Sequence, residues 1–294
     1  PQTEQDGVRL LPLEENSLWQ KVCNGWMPYV LISVLGLVLY CNTFHHEFAL
    51  DDDIIVCKNE HVLKGLSGMG DIMTKDVFDS YYKSMNLSAQ LAGGRYRPFA
   101  VATYALEQEI IGTLPDGLKN DSWDLNKNKV KDPSEDITKD GLFTDRDFQV
   151  KGATMRHVNN VLLYILGGCI LFLFLSRFFF KENKLLALLT VLLFMAHPLH
   201  SEVVANIKSR DEILSLMFMV LALYFSFLYM ESKDNKHIAF AALSYFIALL
   251  SKEYGASLVM LVPLGIYVYY KNIDLPSFAK LMGALLVTFG IYYY

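Results

Sequence analysis

Charged residues are scarce in this chain of 294 residues. Asp, Glu, Lys and Arg make up 19% of it and apolar residues 53%, whereas globular proteins have about 25% charged and about 45–50% apolar residues. The apolar residues are concentrated in runs of about 16–25, the length that crosses a hydrocarbon core of about 30 Å. This composition excludes an ordinary soluble enzyme and a disordered chain, and it predicts an all-α polytopic membrane protein.

Cysteine is also sparse, and an excess of basic residues is lacking. The four cysteines are scattered and have no paired metal-binding spacing, which excludes a disulfide framework and a zinc-finger type of site. The formal net charge is −5. Because nucleic-acid phosphates require a basic surface, this charge argues against a nucleic-acid partner.

The apolar runs divide the chain into predicted segments. Residues 1–25 form an expected cytoplasmic N-terminal segment, and 45–152 form a large polar loop after the first span. The chain begins at Pro1 and ends inside an apolar run, so we expect it to be part of a longer protein. The predicted spans are approximately 26–44, 153–176, 185–200, 212–230, 238–250, 256–270 and an incomplete 281–294.

Lys and Arg in the short turns predict the orientation. The turns 177–184, 231–237 and 271–280 are rich in these residues, which marks them as cytoplasmic by the positive-inside rule. The long loop and the breaks near residues 197–210 and 252 then lie on the other side. We expect a bacterial inner membrane with these groups facing the periplasm, or alternatively an endoplasmic reticulum membrane with them facing the lumen.

Adjacent carboxylates follow the first span. Asp51 and Asp52 precede a third acid, Asp53, and mutual repulsion raises the pKa of at least one member of such a group. A carboxylate in this state can act as a general base or as a ligand for a hard metal ion. The alternative is a solvated turn with a helix cap.

A histidine-rich break follows the third predicted span. His197, His200 and Glu202 surround Pro198, which breaks a helix because it lacks an N–H group. Ionisable residues at membrane depth are costly and indicate function. These three could bind a divalent metal, position a phosphate or relay a proton.

Cationic residues occur at three places on the same predicted side. Arg210 can hold an anionic oxygen with two hydrogen bonds, and Lys252 next to Glu253 interrupts two spans. Arg97, which follows Tyr96, begins a short interfacial helix that extends to about residue 112. Ordinary helix starts, a local Lys–Glu pair and contacts with lipid headgroups are the alternatives.

At these residues the chain resembles the transmembrane and tetratricopeptide-repeat O-mannosyltransferases, within the GT-C glycosyltransferase superfamily. The blocks that carry the resemblance occur in the family's order, and the His-Pro-x-His-x-Glu block with a later Arg is the most specific. They are Phe48–Asp52, Tyr96–Phe99, Asn159–Leu163, His197–Val204 with Arg210, and Ser251–Gly255.

The resemblance implies a GT-C-like transmembrane helix bundle with a large first extracytoplasmic loop carrying interfacial helices. It implies transfer of mannose or a similar hexose from a polyprenyl-phosphate donor to a hydroxyl of an extracytoplasmic protein, with inversion. It also implies C-terminal tetratricopeptide repeats, which do not occur in this sequence and which we expect in a portion of the protein that follows it.

The implied roles fall on the residues singled out above. Asp52, or Asp51 beside it, is the expected base, and Arg210, Lys252 and Arg97 are the expected cations for the donor phosphate. His197 and His200 are expected to hold the leaving phosphate, supported by Glu202, Glu253 and Tyr96. We expect no required cofactor; a divalent cation on Asp51, His200 and Glu202 is the alternative.

Other classes of protein fit the sequence less well. A transporter would place ionisable residues near the bilayer midplane and show internal repeats. A non-catalytic membrane scaffold, or a partner subunit of an envelope complex, explains the long acidic loop but leaves the histidines unexplained. Among enzymes, a GT-C transferase with a lipid or polysaccharide acceptor is the chief rival.

Overall fold

The protein is an all-α, polytopic membrane protein, as its composition predicts. The computed structural model describes residues 22–84, 95–111 and 152–294, and no strand occurs within those ranges. Residues 1–21 of the predicted N-terminal segment, and 85–94 and 112–151 of the predicted loop, lie outside the described residues.

Helices of very different length account for most of the described chain. In chain order they are α1 (Met27–Tyr40), α2 (Glu60–Leu63), α3 (Met69–Ile72), α4 (Asp79–Ser84), α5 (Pro98–Ile111), α6 (Ala153–Phe174), α7 (Lys184–Met195), α8 (His200–Ala205), α9 (Arg210–Ser232), α10 (Asn235–Ser251), α11 (Leu258–Tyr269) and α12 (Leu275–Tyr293).

Four stretches of the described residues are long and apolar enough to cross a membrane. They are Met27–His45, Ala153–Phe179, Ile207–Ser232 and Leu275–Tyr293. The predicted spans 185–200 and 256–270 contain the shorter helices α7 and α11, each of 12 residues, and 238–250 lies within α10. That these three also cross the membrane stays a prediction.

The last helix begins earlier than the sequence predicts. It starts at Leu275 rather than at 281 because Asp274 is extended and Pro276 occupies the first turn, a position where the missing N–H of proline costs nothing. The helix therefore includes Lys280 and extends over 19 residues.

Two breaks bring polar residues to the same end of the bundle. α7 ends at Met195 and α8 begins at His200, so the break surrounds Pro198. The second break is at Lys252, whose backbone is extended with φ −160° and ψ 143°. Because α9 begins at this end and packs along α6 and α10, its first residues lie beside both breaks.

The described part of the polar loop packs onto this same end. Its short helices and α5 share a core that includes Val62, Val101, Tyr104 and, from the turn before α9, Ile207. The hydroxyl of Tyr104 donates to the Ile207 carbonyl at 2.7 Å. These contacts fix α5 against the start of α9 and thereby position Arg97 and the acids at residues 51 and 52.

Candidate active site

Charged side chains from three distant segments meet at the end of the bundle defined by the two breaks. Arg97 donates from Nη1 to Asp211 Oδ2 at 2.5 Å, and from Nη2 and Nε to the two oxygens of Glu253 at 2.8 and 3.2 Å. The fork of the guanidinium matches two carboxylates at once. Arg97 therefore joins the loop to α9 and to the break after α10.

Lys252 forms the second part of this cluster. Its ammonium contacts Glu212 and lies 3.8 Å from Asp211 Oδ1, and it lies 4.8 Å from the centre of the Tyr254 ring. The Lys252 side chain is 8% exposed and that of Glu212 is 34% exposed. Glu212 can thus turn towards solvent and free the ammonium for another anion.

An apolar groove is lined in part by Glu212 and Tyr254, two residues that Lys252 contacts. Its volume is about 270 Å³, and it extends between α6, the α7–α8 break and α9. The polar residues at its mouth are few. The lining residues are Tyr164, Gly167, Gly168, Leu171, Phe194, His200, Val203, Glu212, Ile213, Ser215, Leu216, Met217, Met219, Val220 and Tyr254.

His200 is the histidine that lines the groove. Its Nδ1 is 2.8 Å from the Tyr164 hydroxyl. That hydroxyl donates to the Met195 carbonyl at 3.0 Å. With the hydroxyl proton directed at that carbonyl, Nδ1–H of His200 donates to Tyr164, and Nε2 is left as an acceptor. His200 is therefore oriented by its neighbours before any ligand binds.

His197 and Glu202 do not join His200 in the groove. Both are exposed, and the ring centres of His197 and His200 are 6.0 Å apart. Within residues 22–84, 95–111 and 152–294, no group of three or more His, Cys, Asp or Glu side chains is arranged to hold a metal ion. The divalent cation on Asp51, His200 and Glu202 stays an untested alternative.

Asp52 is fully buried in the turn after the first span. Its Oδ1 accepts from the Lys208 backbone N–H at 2.7 Å and its Oδ2 from that of Ala49 at 3.1 Å. Burial raises the pKa of Asp52 above its usual range, although the backbone hydrogen bonds oppose that change. Asp52 thereby connects the acidic turn to the turn that begins α9.

Asp51 is the exposed member of the pair. Its side chain is 49% exposed, and its Oδ2 lies 3.1 Å from the ammonium of Lys208. The preceding Leu50 has φ +51°, a left-handed conformation that a leucine rarely adopts. Such strain is concentrated at functional sites, and here it lies immediately before the two acids.

Arg210 lies away from the groove, inside the protein. It is 1% exposed, and its guanidinium binds Glu107 Oε1 at 2.6 Å, Asn160 Oδ1 at 2.7 Å and the Thr103 hydroxyl at 3.0 Å. Each of these bonds joins α9 to α5 or α6. These partners already occupy the guanidinium. Phosphate binding by Arg210 stays a prediction.

Sequence reasoning did not single out Glu107, Arg156 or Asp211 as site residues. Glu107 pairs with Arg210 through Oε1, and its Oε2 lies 3.5 Å from Arg156 Nε. Asp211 is 3% exposed. The available signal was a charge within an otherwise apolar helical segment.

Tyr96, which the sequence did indicate, is half-buried and donates to the Met73 carbonyl at 2.6 Å.

The chain is similar to curated O-mannosyl-transferases. It is 32% identical to human "Protein O-mannosyl-transferase TMTC1" over 192 residues, which cover 65% of this chain and 17% of that protein. It is 39% identical to the mouse protein of the same name over 66 residues, or 22% of this chain and 7% of that protein.

The chain thus spans less than a fifth of the length of these curated relatives. No family model matches it. No solved structure matches it either.

Proposed function

We propose that this protein is a membrane glycosyltransferase that transfers mannose or a similar hexose from a polyprenyl-phosphate donor to a hydroxyl of an extracytoplasmic protein. The similarity to the human and mouse O-mannosyl-transferases supports the reaction class. The observation that carries the proposal is the apolar groove lined by His200 and by Glu212, the ion-pair partner of Lys252. A lipid-linked sugar phosphate has the same division into an apolar chain and an anionic head.

Donor binding in this proposal begins with the lipid. Polyprenyl units displace water from the apolar wall formed by Leu171, Met217 and Val220, at about 25 cal/mol for each Å² of apolar surface buried. The phosphate then lies at the mouth, where Lys252 exchanges Glu212 for a phosphate oxygen. Nε2 of His200, when protonated, adds a second charge-assisted hydrogen bond.

The transfer itself is a single displacement. The acceptor oxygen forms a bond to the anomeric carbon while the bond from that carbon to the phosphate oxygen breaks. The carboxylate base takes the hydroxyl proton, and the leaving polyprenyl phosphate keeps the electron pair. One displacement inverts the anomeric configuration, and no glycosyl-enzyme intermediate forms.

Two carboxylates are candidates for the base. Exposure supports Asp51, because an acceptor hydroxyl has to come within hydrogen-bond distance of the base. The raised pKa supports Asp52, since a more basic carboxylate takes a proton more readily, but both of its oxygens accept backbone N–H groups. We propose Asp51 as the group that contacts the acceptor and retain Asp52 as the alternative.

The test is a transfer assay with the purified protein in detergent. It supplies radiolabelled polyprenyl-phosphate mannose or glucose together with a secreted-protein extract, and compares wild type with Asp51→Asn and Asp52→Asn. Loss of transfer in Asp51→Asn at unchanged thermal stability supports Asp51 as the base. Loss in Asp52→Asn alone, also at unchanged stability, assigns the base to Asp52.

The groove has its own variant and matched control. A side chain at Gly167 projects into open space, with Met217 Cβ 3.9 Å from its ideal Cβ position, and nothing lies within 4 Å of the same position at Gly283 in α12. Gly167→Leu should fill the groove and raise the KM for the lipid donor at least tenfold, whereas Gly283→Leu should not. Equal KM values in both variants, or no transfer from either donor by the wild type, would contradict the proposal.

A further inference from the structure

A second cavity lies at the opposite end of the bundle from the candidate active site. α6 has 22 residues, so its two ends are about 33 Å apart at 1.5 Å per residue. The cavity has a volume of about 320 Å³ and contains three basic side chains, which together define the cationic cavity. They are Arg177, Lys181 and Lys184.

The charges of the cationic cavity are only partly compensated. Arg177 Nη2 lies 2.7 Å from Glu231 Oε2, and Lys181 Nζ lies 3.2 Å from Glu231 Oε1, so one carboxylate serves two cations. Among the described residues, no ion pair or hydrogen bond involves the Lys184 ammonium. Of the three basic groups that line the cavity, two share the carboxylate of Glu231 and the third has no ion pair in the described part of the chain, so the cavity attracts an anion.

The start of α7 adds to this excess of positive charge. Lys184 is the first residue of α7, and the first turn contains no acid. The N-terminus of a helix carries a partial positive charge, so acids are favoured there and a lysine is unfavourable. A lysine at this position is stabilised when an anion binds between it and the helix N-terminus.

The remaining walls of the cationic cavity are apolar. Tyr29 from α1, with Phe172 and Leu173 from α6, lines it beside Ser176. A free phosphate ion gains nothing from such walls, whereas a phospholipid places its glycerol and first methylene groups there. Basic pockets between transmembrane helices are typical binding sites for anionic lipid headgroups.

We propose that the cationic cavity binds the phosphate headgroup of an anionic phospholipid, with Arg177, Lys181 and Lys184 as its ligands and the acyl chains in the surrounding bilayer. The headgroup joins the end of α6 to the start of α7, the two helices that also border the groove of the candidate site. Phosphate is the shared chemistry of a lipid headgroup and a free anion, and the apolar walls favour the lipid.

The experiment measures retained lipid by native mass spectrometry. The purified protein is reconstituted in nanodiscs of phosphatidylcholine with a graded fraction of phosphatidylglycerol and then released. Wild type should retain one phosphatidylglycerol. The triple variant Arg177→Gln, Lys181→Gln, Lys184→Gln should bind it about a hundredfold more weakly, at about 1 kcal/mol for each basic residue near an anionic surface.

A matched control removes the same charge from the same end of the bundle. Lys233, Lys236 and Lys280 bind Asp274, Asp234 and Asn235 respectively, and replacing all three by Gln should leave lipid retention unchanged. The single variant Lys184→Gln breaks no ion pair with Glu231. It should therefore fold normally and still weaken binding about fivefold.

Three results would overturn the proposal. Equal losses in the triple variant and its control would show general surface attraction, and equal retention in all variants would show that the cavity does not bind the lipid. Binding of inorganic phosphate at millimolar concentration, together with no phosphatidylglycerol retained by the wild type, would identify a free anion as the ligand.

Discussion

Replacing Glu107 by Gln should remove the charge that holds two buried arginines in place. Glu107 Oε1 lies 2.6 Å from Arg210 Nη1, and its Oε2 lies 3.5 Å from Arg156 Nε. Both arginine side chains are 1% exposed and that of Glu107 is 7% exposed. Water therefore screens these interactions very little, and a neutral Gln leaves an excess of buried positive charge.

The size of the effect follows from what each arginine keeps. Removing one partner of a buried ion pair costs about 3–5 kcal/mol, because the other charge stays buried without compensation. Arg210 retains Asn160 and Thr103, and Arg156 retains Gln108 at 2.7 Å. We therefore expect Glu107→Gln to lower the free energy of unfolding by about 3 kcal/mol, the lower end of that range.

The assay is unfolding in mixed micelles with an increasing fraction of sodium dodecyl sulfate, followed by tryptophan fluorescence. Glu109→Gln is the matched control, since Glu109 is exposed on the same helix and its carboxylate accepts the Leu66 backbone N–H at 3.0 Å. It should cost less than about 1 kcal/mol. Equal losses in the two variants would refute the argument that the buried network stabilises the attachment of α5.

Three further predictions concern the loop and the mouth of the groove. Burial raises the pKa of Asp52 above 3.8, so the folded state binds that proton more tightly than the unfolded state does. The free energy of unfolding should therefore fall as pH rises from 3.8 through the raised pKa. Asp52→Asn should flatten this slope in a pH series of thermal melts, and an unchanged slope would contradict the prediction. A Cβ at Gly68 would lie 1.9 Å from the His61 carbonyl oxygen, whereas nothing lies within 4 Å of a Cβ at Gly70. In the micelle assay, Gly68→Ala should therefore lower the free energy of unfolding by about 1–3 kcal/mol and Gly70→Ala by much less. Similar losses in the two variants would contradict the prediction. Lys252→Ala should raise the KM for the lipid donor at least tenfold while Lys252→Arg keeps most of the affinity, and equal KM values for the two would exclude a charge-based role.

The helical membrane architecture could be predicted from the sequence because it depends on local properties. Long apolar runs leave only helices or closed barrels as stable solutions in a bilayer, and the length of the runs favours helices. The break at Pro198 is local as well, since proline removes a backbone donor wherever it occurs. The last span was predicted to start at 281, later than the observed Leu275, because Lys280 was counted as a turn residue.

The arrangement of the site depends on distant residues and was harder to predict. Arg210 and Lys252 look alike in the sequence, as single cations next to acids. The structure buries Arg210 against Glu107, 103 residues earlier in the chain, and pairs Lys252 with Glu212, which lines the groove. No local pattern distinguishes them, because the difference arises from which helix packs against each side chain.

The same limit applies to the two acids. Asp51 and Asp52 are adjacent, so composition and spacing treat them alike. Their exposures differ because the left-handed Leu50 and the π-helical turn Asp53–Cys57 direct one carboxylate inward and the other outward. The sequence alone indicates an acidic site. Choosing one of the two acids as the base requires knowledge of the backbone path.

The two hydrogen-bonded ion pairs of Arg97 also constrain how the protein is made. Its carboxylate partners lie 114 and 156 residues later in the chain, so the ribosome has to synthesise α6 to α10 before this guanidinium has both of its partners. Until then α5 can already pack on the turn before α9 through Tyr104 and Ile207, but Arg97 lacks its contact with Glu253. The contact that joins Arg97 to the break after α10 is thus among the last of the candidate site to form, and a chain that ends before Glu253 lacks it.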